Sequence, residues 1–267
     1  FVPLTVPLGV FMSIGALLRR KQDSFQRLWP QLRILLVASA VGGGIWPLTM
    51  SRYELSAALA ATLGVWIVLS TCHSLWTRTA TGRRWQSLRS TPSGLWGMVL
   101  AHCGVGVFII GVAFTSIYTV EKDLRMAPGD SFQINRYSYR FEGVKKQTGP
   151  NYMSQIGTVT VSRDGRPTAL LRPEKRIYRI QRMPMTEAGI APGLFADFYV
   201  ALGEPLGSDG SWALRIHYKA YIRWIWLGAL LMAGGGLLAA SDRRYRSLAR
   251  QATLAGTGDG LPVAESG

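Results

Sequence analysis

Five runs of predominantly apolar residues, at 1–18, 32–50, 54–75, 94–118 and 220–240, constrain this chain more than any other feature. About twenty such residues are needed to cross a bilayer's hydrocarbon core as a helix. In lipid every backbone polar group must be satisfied within its own element, so runs of this length read as membrane helices. The second run holds three glycines at 42–44 and Pro47, and is expected to kink or end near Trp46. The chain opens on Phe1 inside an apolar run that arginines follow rather than precede. A secretory signal shows the opposite order, so the sequence reads as a piece of a larger membrane protein.

A formal net charge of +15 first suggests a nucleic-acid partner. The placement of the charge argues otherwise. Thirteen of the thirty basic residues flank apolar runs: Arg19, Arg20, Lys21, Arg27 and Arg33; Arg78, Arg83, Arg84 and Arg89; and Arg243, Arg244, Arg246 and Arg250. Cationic loops mark the cytoplasmic side of a bacterial inner-membrane protein. These three segments alternate along the chain, so they share one side. The short link at Arg52 and the long segment 119–219 then face the periplasm. Trp29, Trp76, Trp85, Trp96, Trp224 and Trp226 fall near run ends, where interfacial aromatic belts form against membrane lipid.

Segment 119–219 reads as β-structure. The stretches 132–144, 156–165, 169–180, 194–202 and 211–219 are rich in β-branched and aromatic residues, and Gly149-Pro150, Asp164-Gly165 and Asp209-Gly210 supply turns. Strands so spaced predict a small barrel or sandwich. The expected fold is an integral membrane α-helical protein of about five spans with an inserted all-β extracytoplasmic domain. Residues 1–118 carry helices one to four, 119–219 the periplasmic domain, and 220–240 the final span. Residues 241–267 form a cytoplasmic tail, first basic and then, from about 251, Gly-, Ala- and Ser-rich and expected to be disordered.

Chemistry-bearing residues are few. Cys72 and Cys103 both lie in apolar surroundings with no CxxC or CxxCH spacing, so neither a structural disulfide nor a thiol relay is expected. There are three histidines. His102 lies inside the fourth run with no charged neighbour in sequence. An ionisable group at that depth has a partner or serves a pathway. A neutral imidazole can donate from one nitrogen and bind a metal such as haem iron through the other. Met98 and Gly106 share its helical face one turn to either side. With Gly104 and Gly111 nearby, Gly106 allows close approach of either a flat macrocycle or another helix. Both readings of His102, axial ligand and packing residue, stand on these residues alone.

His73, beside Cys72, lacks a third partner for metal or nucleophilic chemistry and reads as an interfacial histidine reaching water. His217 reads as a sheet residue, exposed or satisfied, or alternatively as one that faces a ligand near the outer interface. Lys145-Lys146 and Pro173-Glu174-Lys175-Arg176 read as a solvated sheet face, or alternatively as contacts for haem propionates or an acidic partner. No nucleophile–base pair, carboxylate pair or phosphate loop supports a hydrolase or kinase.

The runs LAHCGVGVFIIG (100–111), APGD (127–130), YSYRFEGV (137–144), GPNY (149–152), RPEKRIY (172–178), MTEAGI (185–190), LFADFYVALGEP (194–205) and YKAYIRWIWLGALLMAGGGLL (218–238) resemble the C-terminal part of CcmF, a membrane protein family of bacterial cytochrome c maturation. The resemblance implies a part of a thioether-forming cytochrome c haem lyase, not active as this stretch alone. It implies that CcmE delivers haem while CcmH and CcmI present apocytochrome c. It also implies an intramembrane b-type haem that reduces the incoming haem. His102 matches one of that haem's axial ligands, and Gly106 would pack beside the macrocycle. The second axial ligand, the tryptophan-rich motif and the outward-facing histidines would lie upstream, in another part of CcmF. His73 and His217 match no ligand position. Two alternatives remain: a non-catalytic scaffold docking CcmH, CcmI and apocytochrome, and a transporter segment, at which only the break at 42–47 hints.

Overall fold

The computed structural model describes residues 2–18, 25–79, 84–180 and 183–242. Every apolar run becomes helix: α1 (Val2–Leu17), α2 (Phe25–Ile45), α3 (Leu55–Arg78), α5 (Ser93–Tyr118) and α6 (Ile222–Ala240), with a short α4 (Arg84–Arg89) before α5. Among the described residues four segments are long and apolar enough to cross a membrane: Gln26–Thr49, Leu55–Arg78, Ser93–Tyr118 and Ile222–Ala240. These make the chain a multi-pass membrane protein. The first run gives a 16-residue helix. The three glycines at 42–44 stay inside α2, which ends at Ile45 and passes into a 3-10 turn, Trp46–Thr49, opened by Pro47. The break is thus a change from α-helix to 3-10 turn at the end of the segment Gln26–Thr49. Arg19, Arg20, Lys21, Arg83 and the tail from Arg243 onward lie outside the described residues.

The chain divides into two compact units. The first comprises residues 1–38, 65–106 and 228–267. Its helices meet through small residues. A Cβ on Gly97 would lie 2.5 Å from the Gly235 carbonyl oxygen, and one on Gly104 would lie 2.7 Å from that of Gly228. Side chains cannot enter such a space, so these glycines let α5 and α6 pack backbone to backbone. Ser74 Oγ donates to the Ala16 carbonyl at 2.5 Å, and the Gly94 amide donates to Asp242 Oδ2 at 2.8 Å. Leu17, Leu28 and Leu35 fill a small apolar core with Leu32, Trp66 and Leu69.

The second unit comprises residues 39–64 and 107–227 and contains the β-domain. Its strands are β1 (Val120–Met126), β2 (Ser131–Ile134), β3 (Tyr137–Thr148), β4 (Tyr152–Arg163), β5 (Arg166–Leu171), β6 (Glu174–Tyr178), β7 (Pro184–Glu187), β8 (Gly189–Ala191), β9 (Ala196–Pro205) and β10 (Trp212–Ala220). One antiparallel sheet runs β1-β10-β9-β8 and the other β2-β3-β4-β6-β7, with β5 paired to β4. Strand alternation explains the layering. In β9, Ala196, Phe198, Val200 and Leu202 are buried while Asp197, Tyr199 and Ala201 are half-buried. These inward residues meet Tyr139, Phe141, Val159, Val161 and Leu171 of the other sheet, and Leu214 and Ile216 of β10, in one core. Burying each such side chain stabilises the domain by about 1.5–3 kcal/mol. Asn135 (φ 55°) and the Asp164-Gly165 pair (φ 49° and 79°) turn the β2–β3 and β4–β5 hairpins, in the left-handed conformation those residues tolerate.

Tyr221 is different. It is the single residue between β10 and α6, and its φ of 51° is one that a bulky side chain rarely adopts. Its surroundings hold it there. The Tyr221 amide donates to the Phe195 carbonyl at 2.9 Å, and its hydroxyl accepts from Trp46 Nε1 at 3.0 Å. The ring packs edge-on against Phe114 (4.9 Å), Trp224 (5.2 Å) and Phe195 (5.7 Å). Tyr221→Phe keeps the ring but leaves the indole N–H of Trp46 without its acceptor. The expected loss is about 1–3 kcal/mol, read as a lower melting temperature of the detergent-solubilised chain. No loss would show that the hydrogen bond is dispensable.

Candidate functional site

His102 sits on α5, in the part belonging to the first unit. At 3.6 residues per turn it lies about 140° round the helix from Gly97 and about 160° from Gly104. It therefore faces away from the glycine seam occupied by α6. Gly106, one turn further on, is buried and lies about 40° from His102, on the same face. Gly104 meets α6 in the first unit, and in the second a Cβ on Gly111 would lie 2.7 Å from the Ile225 amide. Both are helix-packing positions, and Gly106, also buried, lies on the His102 side of α5. The His102 ring is half-buried, and its Nδ1 is sealed from solvent with no hydrogen-bond partner among the described residues. A buried polar atom left so is uncommon and asks for a partner the helices do not supply.

Cys72 and Cys103 are free, and their thiols are close enough to hydrogen-bond. His73 is half-buried, and its Nε2 is sealed with no partner among the described residues. No group of three or more metal-ligating side chains occurs among the described residues.

His217 is a sheet residue. It pairs across β10 with Glu121 on β1 and Tyr199 on β9. Its Nδ1 lies 3.4 Å from Glu121 Oε2, and its ring meets that of Tyr199 edge-on at 4.8 Å. With the side chain 13% exposed, burial outweighs the Glu121 carboxylate and lowers the His217 pKa below the ordinary histidine value.

The charged segment behaves differently from a solvated face. Lys175 is buried, its side chain 7% exposed, where Nζ bonds the Gly203 carbonyl and pairs with Glu204. Glu174 and Arg176 pair at 2.7 Å, which lowers the Glu174 pKa and raises that of Arg176, and the guanidinium lies 4.9 Å over the Tyr152 ring. Lys175 is thus enclosed, whereas Arg176 is partly exposed and paired with Glu174 and Glu187. Lys145 and Lys146 on β3 are exposed.

A feature that sequence reasoning missed is a cleft of about 1000 Å³ within the second unit. Trp46 and Met50 line it from the helical side, Tyr137 and Tyr218 from the β-domain, and Phe195 and Tyr221 from the junction. Arg136 and Arg163 stand at its β-domain wall and share Asp164, at 3.1 and 3.8 Å. Arg163 also lies 5.8 Å over the Tyr137 ring. The Tyr218 hydroxyl is pushed up to about 12 by burial, so it stays protonated. These residues are scattered from 42 to 221, and only the fold collects them.

Residues 117–220 match the family model described as the CcmF C-terminal beta-sandwich. Over 246 residues the chain is 42% identical to the cytochrome c-type biogenesis protein CcmF of Pseudomonas aeruginosa, covering 92% of this chain and 37% of that protein. The chain belongs to the CcmF family. It corresponds to the family's C-terminal part. A second CcmF, from Pseudomonas fluorescens, is 40% identical over 263 residues, covering 98% of this chain and 40% of its own length. The chain thus spans about two fifths of the curated relatives it matches. A solved structure titled Cytochrome c Heme Lyase CcmF superposes with a TM-score of 0.69 at 16% identity, over 89% of this chain and 38% of that one, and shows the shared fold. The CcmF sandwich boundaries enclose all ten strands.

Two outcomes follow for the CcmF β-domain. Because folding lowers the His217 pKa, the fold disfavours its charged form. Stability attributable to this residue is full above the ordinary histidine pKa of 6.5 and falls as pH drops below it. The melting temperature should decline more steeply between pH 6.5 and 5 for the unmodified chain than for His217→Gln; parallel profiles would refute the assignment. Separately, Glu204→Ala removes the carboxylate partner of a buried ammonium and should lower the melting temperature, while Lys175→Met, which removes the charge itself, should lower it less.

Proposed function

We propose that this chain is the C-terminal part of a cytochrome c haem lyase of the CcmF type, acting in bacterial cytochrome c biogenesis. The observation that carries the reading is His102: an imidazole with one nitrogen sealed and unpaired, on the α5 face that leaves the packing seam. That is the state of a side chain fitted to hold a group the protein fold alone does not provide. His102 would be one axial ligand of an intramembrane haem b, with the second ligand outside this chain. Gly106, buried on the same face, would keep the approach free of side chains. When bound, such a haem supplies a one-electron carrier able to reduce the iron of an incoming haem.

The residues of this chain then have separate tasks. His102 fixes the iron's position along α5 and must stay neutral to ligate. The apolar surroundings of α5 exclude water from it. With the basic segments cytoplasmic, the β-domain would be periplasmic and would stand beside the site where CcmE would hand over haem and CcmH and CcmI would present apocytochrome c. The alternative of a pure docking scaffold was expected to use Lys175 and Arg176; Lys175 is buried against Glu204, and Arg176, nearer the surface, is shared between Glu174 and Glu187. Any such docking falls to exposed residues such as Lys145 and Lys146.

The test is spectroscopic. With the chain co-expressed with the preceding part of its protein, His102→Ala should abolish the reduced b-type α-band and lower haem content per protein at least about tenfold, as expected when an axial ligand is removed. His73→Ala and His217→Gln should leave both unchanged. An unaltered spectrum in His102→Ala would remove the ligand assignment.

A further inference from the structure

We propose that the cleft beside Trp46 binds the headgroup of a membrane phospholipid, with the phosphodiester held by Arg136 and Arg163. Three observations carry this. First, the cleft adjoins the point where a membrane helix ends. Ile45 and the 3-10 turn residues Trp46 and Thr49 line it, and Val41, Ile45 and Leu48 on the same stretch are exposed apolar side chains. Lipid phosphates lie at that depth, just beyond the hydrocarbon core.

Second, the charge fits. Arg136 and Arg163 share the single carboxylate of Asp164, at 3.1 and 3.8 Å, leaving one positive charge in excess. No acidic side chain is among the residues lining the cleft. Guanidinium groups suit phosphate oxygens, which they can bind in pairs. Third, Trp46, Tyr137, Phe195, Tyr218 and Tyr221 give the cleft an aromatic lining, the amphipathic surface that residues at a membrane–water boundary present to lipid.

The acyl chains would run back along Ile45 and Leu48 into the bilayer, so the site takes an amphiphile rather than a free anion. This inference is independent of the role given to His102.

The test uses the full chain, extracted in mild detergent and washed. Native mass spectrometry and phosphorus analysis should find about one tightly retained phospholipid per chain, falling about tenfold in the Arg136→Gln/Arg163→Gln double variant as two charge-assisted contacts are lost. Lys145→Gln/Lys146→Gln, which removes the same charge from exposed positions on β3, should retain the wild-type amount. In a competition on the unmodified chain, short-chain phosphatidylglycerol should displace the retained lipid, whereas inorganic phosphate and haemin at the same concentration should not. Equal retention in the cleft variant would overturn the proposal. So would displacement by phosphate, which marks a plain anion site, or by haemin, which marks a tetrapyrrole site. If the double variant does not fold, the competition alone decides.

Discussion

The second unit is organised around the backbone of Tyr221. A tyrosine in the left-handed region is strained, and such strain persists only where the surroundings over-determine it. Here the amide is tied to Phe195, the hydroxyl to Trp46, and the ring to an edge-to-face cluster that includes Phe114 and Trp224. Those partners come from the end of α2, the end of α5, the β8–β9 link and the start of α6. One residue thus fixes the direction in which α6 leaves the sheet. Thr115 Oγ1, donating to the Ala220 carbonyl at 2.7 Å, holds α5 to the same corner. A glycine would adopt this φ more easily, but it would supply neither the hydroxyl nor the ring that sets the cluster.

Much of the architecture was legible because two periodicities are hard to mistake. Twenty apolar residues in a row have few alternatives to a helix in lipid, and the alternation in 194–202 announces a half-buried strand. The Asp164-Gly165 hairpin was equally plain. What escaped were elements whose identity depends on a neighbour. β1 (VEKDLRM) is largely polar and is a strand because β10 lies beside it from Val120↔Tyr218 to Met126↔Trp212. β7 and β8 are three or four residues long and carry no period of their own. The first run formed a helix as expected.

For the sites, sequence reasoning did better with what was present than with what it was near. His102 was singled out because an imidazole in an apolar run is conspicuous. Its sealed Nδ1 and its turn away from the Gly97–Gly104 seam needed the folded helices. Lys175 illustrates the opposite error. In PEKR it looks like any surface lysine, yet strand alternation on β6 turns it inward while Arg176 stays near the surface with Glu174. The cleft residues are individually ordinary aromatics and arginines, and no spacing in the chain links Trp46 with Tyr137 and Tyr218.

The attachment of the β-domain has a further consequence. It enters through Thr119 alone, between α5 and β1, and leaves through Tyr221 alone, between β10 and α6. The two joining strands are hydrogen-bonded neighbours. A domain on flexible linkers could grow or shrink without disturbing its host. This one cannot do so at its joins, since one residue added at Thr119 would rotate α5 by about 100° relative to the strand it feeds. Added residues would be accommodated at distal hairpins such as Asp164-Gly165 instead, and the positions at which the chain passes from strand to helix act as fixed gear teeth between sheet register and helix phase.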